Sequence, residues 1–177
     1  SKFNRNGRNI GVPLVDESKI RSLSKDIIFT RKPTKIIDGV YITGEIPRKY
    51  KIEDTGGPFY TDRKLNQCDP LVDDQALYIE TEQGLVVLLG CGHSGVINTL
   101  EYIKTLSNNK PVRAVIGGMH LLHAEAERLS FTCEALKQLS IPYIAANHCT
   151  GINAICDFKN HLPECVQVSN VGSRHCF

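Results

Sequence analysis

Three short segments concentrate the residues that can do chemistry: GCGHSG (90–95), GGMH (117–120) and NHCTG (147–151). Each sets a His beside Gly at the point where an apolar run has just ended. Glycine adopts backbone conformations that other residues resist and lets the chain approach a ligand closely. A His just past a strand is held by the sheet yet points into the crevice at the strand ends. Imidazole is a common zinc ligand, and three such groups with one open position are what hydrolytic zinc requires. If their strands are neighbours, His93, His120 and His148 form a metal site. Two other chemistries fit parts of the pattern. Cys91 or Cys149 can serve as a nucleophile with a nearby His as base, because a strand-to-helix turn lowers a thiol's pKa. Alternatively, the Gly-rich turns can cradle an anion with backbone N–H groups and no metal. Neither explains a His in all three loops. Taken singly, each His reads as a hydrogen-bonded loop residue and each Cys as a small buried one. His123 reads as exposed, and His161 and His175 have no comparable setting.

The elements that must position these loops follow from apolar periodicity. DDQALYIE (73–80) alternates as a strand does, and after the turn TEQG the run LVVLLG (85–90) reads as a buried strand. Val96, Ile97, Leu100, Ile103 and Leu106 recur at helical spacing, with Ser94 as the expected N-cap. VRAVIGG (112–118) is a strand, followed by a helix over about 124–140 whose stripe is Leu129, Cys133, Leu136 and Ser140. IPYIAA (141–146) is a third strand, and a helix after Gly151 turns Ile152, Ile155, Cys156 and Lys159 to one side. CVQVS (165–169) reads as a closing strand. The fold class is therefore α/β, with β-α-β-α-β-α-β order after residue 71 and right-handed crossovers, so the carboxyl ends of the strands converge on one ligand-binding edge. Residues 1–70 read instead as a loop-rich, antiparallel region. It has short apolar alternations at IIF (27–29) and VYITGEIP (40–47), then a polar, turn-rich loop over 48–70.

Bulk properties bound the function. The 177 residues fit one domain, large enough to bury a core without disulfides. Seven cysteines, an odd count without framework spacing, read as reduced thiols and point to a cytoplasmic setting. No apolar run approaches the roughly 20 residues of a membrane span. Residues 1–64 hold 14 Lys+Arg against 8 Asp+Glu, while residues 65–177 hold 7 against 11. Such a basic front half can attract an anionic small molecule or nucleic acid, but without aromatics among the basic residues it reads first as a solvated, loop-rich face, which leaves an anionic substrate a weak preference and argues against nucleic acid. The only Met is Met119, and the Asn/Arg-rich opening resembles the middle of a loop, which suggests a processed or truncated terminus.

Four ordered motifs, TGEIPR (43–48), DDQALYIETEQGLVVLLGCGHSGVINTL (73–100), AVIGGMHLL (114–122) and NHCTGINA (147–154), resemble the metallo-β-lactamase superfamily. Within it the chain looks closest to the 7,8-dihydropterin-6-methyl-4-(β-D-ribofuranosyl)aminobenzene-5′-phosphate synthase-like branch. The resemblance implies an αββα sandwich with a dinuclear, usually zinc, site at one edge. It implies His93 and His148 as metal ligands and His120 in or beside the site. Cys91 stands where many members carry a metal-bridging Asp, and Asp74 and Glu45 are candidate second carboxylates behind the ligands. The superfamily's His-x-His-x-Asp-His string is absent. The resemblance thus implies a C-terminal portion (71–177 being the α/β half) with an incomplete metal site. An N-terminal half or another chain would then be needed to cover its core. The implied function is metal-dependent hydrolysis of an anionic, for instance phosphorylated, substrate, with metal-activated water as the attacking group. The alternatives are a non-catalytic binding module with an anion-binding edge, or a Cys-His thiol enzyme.

Overall fold

The computed structural model describes residues 2–11, 17–24 and 26–177. Ser1, residues 12–16 and Lys25, part of the basic loop-rich front, lie outside the described residues. In chain order the elements are β1 (Phe3–Asn4), α1 (Glu17–Leu23), β2 (Thr34–Ile37), β3 (Val40–Ile42), β4 (Phe59–Tyr60), β5 (Ala76–Thr81) and β6 (Gly84–Leu89). They continue with α2 (Val96–Leu106), β7 (Val112–Gly118), α3 (Ala126–Gln138), β8 (Ile144–Asn147), a 3-10 turn (His148–Thr150) and α4 (Ile152–His161). A six-stranded sheet runs β2-β3-β5-β6-β7-β8, and β1 pairs with β4 in a separate two-stranded ribbon. Pairing is antiparallel from β2 to β6 and parallel from β6 to β8. The front of the chain therefore supplies hairpin strands at one edge, and the β-α-β crossovers supply the other edge.

Register sorts the side chains into two apolar faces. Cross-strand partners share a face, so Tyr41, Tyr78, Val87, Val115 and Ile144 form one row. This row packs with the buried faces of α2, α3 and α4, including Val96, Leu100, Ile103, Leu136 and Phe158, to make the main core. The opposite face carries the rows Ile42, Leu77, Leu88, Ile116, Ala145 and Val40, Ile79, Val86, Ala114. Strands that are apolar on both faces are the pattern of a sheet meant to be covered on both sides.

Five readings from the sequence are corrected. Ser94 does not cap α2: the cap residue is Gly95, no capping side chain comes from the residue itself, and the Glu53 carboxylate takes the N–H groups of Ile97 and Asn98 from 44 and 45 residues away. The buried stripe of α4 is Ala154 and Phe158, whereas Ile152 and Cys156 are exposed. The aromatic ring at Phe158 buries more apolar area than the small or branched residues beside it, and so fixes which side faces in. Residues 165–169 form no strand; Val166 makes a single parallel bridge to Ile144, and Val168 is exposed. Only Val40–Ile42 of the 40–47 run is strand, and residues 27–29 are irregular with Ile28 and Phe29 exposed. In the middle helix Ser140 is exposed and Arg128 and Thr132 join Cys133 and Leu136 as the buried residues. No helix among the described residues is long and apolar enough to cross a membrane.

Candidate metal centre

The parallel strands β6, β7 and β8 deliver their three carboxyl-terminal loops to one edge, where backbone hydrogen bonds knit them together. The Gly118 N–H donates to the Gly90 carbonyl at 3.0 Å, and the Leu121 and Leu122 N–H groups both donate to the Cys149 carbonyl at 3.1 Å. Met119 N–H donates to Thr150 Oγ1 at 3.1 Å. Each loop turns through positive-φ residues: Gly92 (φ 69°) and Gly95 (φ 92°), Gly117 (φ 130°) and His120 (φ 50°), and His148 (φ 51°) and Gly151 (φ 79°). Left-handed non-Gly residues persist only where surrounding structure fixes them, and they cluster at functional sites. Gly118 is required by crowding, since a Cβ there would meet the Gly90 carbonyl, the Cys149 sulfur and Cys91.

The histidines divide into two groups along this edge. Cys91 Sγ lies 3.2 Å from His148 Nε2, and the Cys149 thiol donates to the Cys91 carbonyl at 3.1 Å. Donor atoms of Cys91, His148 and Cys149 all fall within 4.8 Å of one another. His93 instead stacks against His120, with ring centroids 4.2 Å apart, and contacts Phe59 edge-on at 5.7 Å. Its Nδ1 reaches the Thr55 carbonyl at 3.3 Å. Buried His120 Nδ1 has no hydrogen-bond partner. Burial, followed by the neighbouring His93 and Arg128, pulls the His120 pKa down to about 4, so the ring is neutral at neutral pH. Neutral imidazole is the form that binds metal.

Asp74 stands behind these groups. Its Oδ2 accepts the Ser94 N–H at 2.7 Å, which pins the GCGHSG loop from the start of β5. Glu45 is exposed and lines a separate cleft with Ile28, Phe29 and Asp73. The segment 49–56 crosses the same edge. Asn98 Oδ1 accepts the N–H groups of Lys49 and Tyr50, Glu53 caps α2, and Tyr50 packs on Phe131 of α3 at 5.2 Å. Gly56 lies against the His120 ring so closely that a Cβ there would collide with Nε2. Next to it a cavity of about 660 Å³ is lined by Lys51, His120, His123, Arg128 and Cys149. Arg128 is 5% exposed; its NH1 donates to Asp54 Oδ1 at 2.8 Å, and its Nε and NH2 have no partner.

The donor set fits a borderline divalent metal: two thiols and an imidazole in mutual reach, and a second imidazole whose buried nitrogen lacks any other partner. It fits a thiol nucleophile less well, because burial pushes Cys149 up to about 11 and keeps it protonated. The sequence offers Cys149 as a nucleophile or a small buried residue and not as a ligand, and it gives no sign of Glu53, Thr55 and Arg128, which reach the edge from loops and a helix with no motif of their own. The adjacency of Cys149 to His148 was the available signal for it.

No family model matches the chain. It is 34% identical over 149 residues to the 7,8-dihydropterin-6-methyl-4-(β-D-ribofuranosyl)-aminobenzene-5′-phosphate synthase of Methanocaldococcus jannaschii, a match covering 82% of this chain and 51% of that protein. An uncharacterized protein of the same organism is 32% identical over 149 residues, covering 84% of this chain and 54% of that protein. The chain thus spans about half the length of the curated relatives it matches. Among solved structures it superimposes on Tm1679, a metal-dependent hydrolase of the β-lactamase superfamily. The TM-score is 0.74 at 28% identity, over 84% of this chain and 57% of that one. By this sequence identity and shared fold, the chain belongs to the metallo-β-lactamase superfamily.

Proposed function

We propose that this chain carries part of a zinc-dependent hydrolytic centre acting on an anionic small molecule, and that a further polypeptide layer completes it. The observation that carries this reading is the grouping of Cys91, His148 and Cys149 at the strand ends beside His120, whose buried Nδ1 is unpaired. Cys91, His148 and Cys149 would hold the ion, with His120 and His93 as the next donors along the edge. When bound, a divalent cation supplies Lewis acidity toward a substrate oxygen and toward water. The chain's own residues supply position. Asp74 and Glu53 hold the loop and helix start that present His93, and neutral His120 keeps a lone pair available at neutral pH. Arg128, whose Nε and NH2 are buried without a partner, lines the cavity together with Lys51 and His123. A buried guanidinium with two of its three nitrogens unpaired favours an anion such as a phosphate group as occupant. The second apolar face of the sheet supports a covering layer, from the same protein or another chain, as does the match to only about half the length of the curated relatives.

Metal analysis after dialysis against zinc tests the centre. His148→Ala should lower retention by one zinc per chain, and Asp74→Asn should weaken affinity for that ion by about 10–100-fold through loss of loop orientation. Retention unchanged in both variants would remove the metal reading. For the anion, inorganic phosphate should raise the thermal midpoint of the native chain and not that of Arg128→Gln. An equal rise in both would discard Arg128 as its anchor.

A further inference from the structure

The outer surface of the helical layer carries a second cluster of ligand-type side chains, far in sequence from the strand-end loops. Cys133 on α3 is buried, and its Sγ lies 3.5 Å from Asp157 Oδ2 on α4. One turn later on α4, His161 Nδ1 lies 3.5 Å from Asp157 Oδ1. The donor atoms of the three residues all fall within 4.8 Å of one another. Asp157 and His161 are four apart, so they share one helix face, and Cys133 meets them from the neighbouring helix. The cleft they border holds about 230 Å³ and is lined by Ser130 and Glu134 as well.

We propose that Cys133, Asp157 and His161 bind a zinc-class divalent cation, clamping α3 to α4 at a site separate from the strand-end centre. Zinc bonds to sulfur, nitrogen and oxygen of about 2.0–2.3 Å at tetrahedral angles put donors roughly 3.3–3.8 Å apart. The two 3.5 Å separations already meet that spacing. A thiolate, an imidazole and a carboxylate are a borderline-soft set that selects zinc or cobalt over magnesium or calcium. The fourth position opens on the cleft, where water, Ser130 or Glu134 can fill it. Binding displaces the Cys133 proton to solvent and leaves its sulfur a thiolate on the metal, with no change of oxidation state. Two helices that meet through apolar packing and the Cys133–Asp157 hydrogen bond would then be joined by a common ion. The competing role is a structural one, in which His161 Nδ1 donates to the Asp157 carbonyl at 2.9 Å as part of the last turn of α4.

Cobalt(II) titration of the full chain, read by the thiolate-to-cobalt charge-transfer band, tests this with the strand-end ligands removed by Cys91→Ser, His148→Ala and Cys149→Ser. In that background, checked for native far-ultraviolet circular dichroism, the band should appear at stoichiometric cobalt. It should disappear with Cys133→Ser and weaken at least tenfold with His161→Ala, a surface change that leaves the core untouched. A folded background protein without the band would overturn the proposal, as would a band indifferent to both substitutions. Loss of zinc at the strand-end ligands in otherwise native protein, with this band intact, would separate failure of the main centre from failure of this one.

Discussion

His120 illustrates how one residue couples site to stability. Its ring is wedged between Gly56 and His93, its backbone is left-handed, and burial first, then His93 and Arg128, hold its pKa at about 4, against 6.5 for a free His. Between those values the unfolded chain binds the proton and the folded chain does not, so stability rises with pH across that window. Metal-free protein should therefore lose denaturant midpoint as pH falls from 6.5 toward 4, with no contribution from this group above 6.5. His120→Gln should flatten that part of the profile, and an unchanged profile would assign the effect elsewhere. The histidines at the strand ends were legible in the sequence because Gly and an ended apolar run mark such turns. Their division into a Cys91–His148 pair and a His93–His120 pair was not, since it depends on which left-handed turn aims each ring. Arg128 was hidden for the same reason: only packing brings this helix side chain to the edge.

At the scale of elements, helix starts decide the geometry. The N-terminus of α2 leaves donors that its own sequence does not satisfy, and Glu53 satisfies two of them at 2.9 and 2.7 Å. Gly95 is the helix-cap residue because a Cβ there would run into the Glu53 side chain. Burial pushes the Glu53 carboxyl up, against the two N–H groups that pull it down. Glu53→Gln should cost about 1–3 kcal/mol at neutral pH by urea denaturation, because a buried charge-assisted pair becomes a mismatched amide. A cost near zero would mean water can replace the carboxylate. On α4, Phe158→Ala should cost about 3–5 kcal/mol, whereas Ile152→Ala should be near neutral. The opposite order would restore the stripe read from the sequence. β5 to β8 and α2 to α4 were legible because apolar period alone specifies them. The cap was not, because its carboxylate comes from a loop with no periodic signal, and 165–169 was misread because alternation cannot tell a strand from an extended tail bridged at one residue.

For the molecule as a whole, the sheet has a helix-covered side and a second apolar side on which Val86, Ala114 and Ala145 are buried while Leu77, Leu88 and Ile116 stay half-buried. The helices cover the Tyr41–Ile144 row, while the Ile42–Ala145 row on the other side is also apolar. The chain on its own should therefore self-associate with concentration in sedimentation velocity, and Leu88→Lys should shift it toward monomer. A monomer at all concentrations would show that face to be screened within the chain. Segment 49–56 links this architecture to the strand-end loops, since it leans on α2, α3 and His120 at once. That gives it a timescale as well as a place. The amide protons of Ile97 and Asn98 are guarded by a residue far away in the chain, so their hydrogen-exchange rates clock the lifting of the segment. The amides deeper in α2 clock the unwinding of the helix. Two neighbouring amides thus make a reporter that distinguishes opening of the candidate site from fraying of the fold.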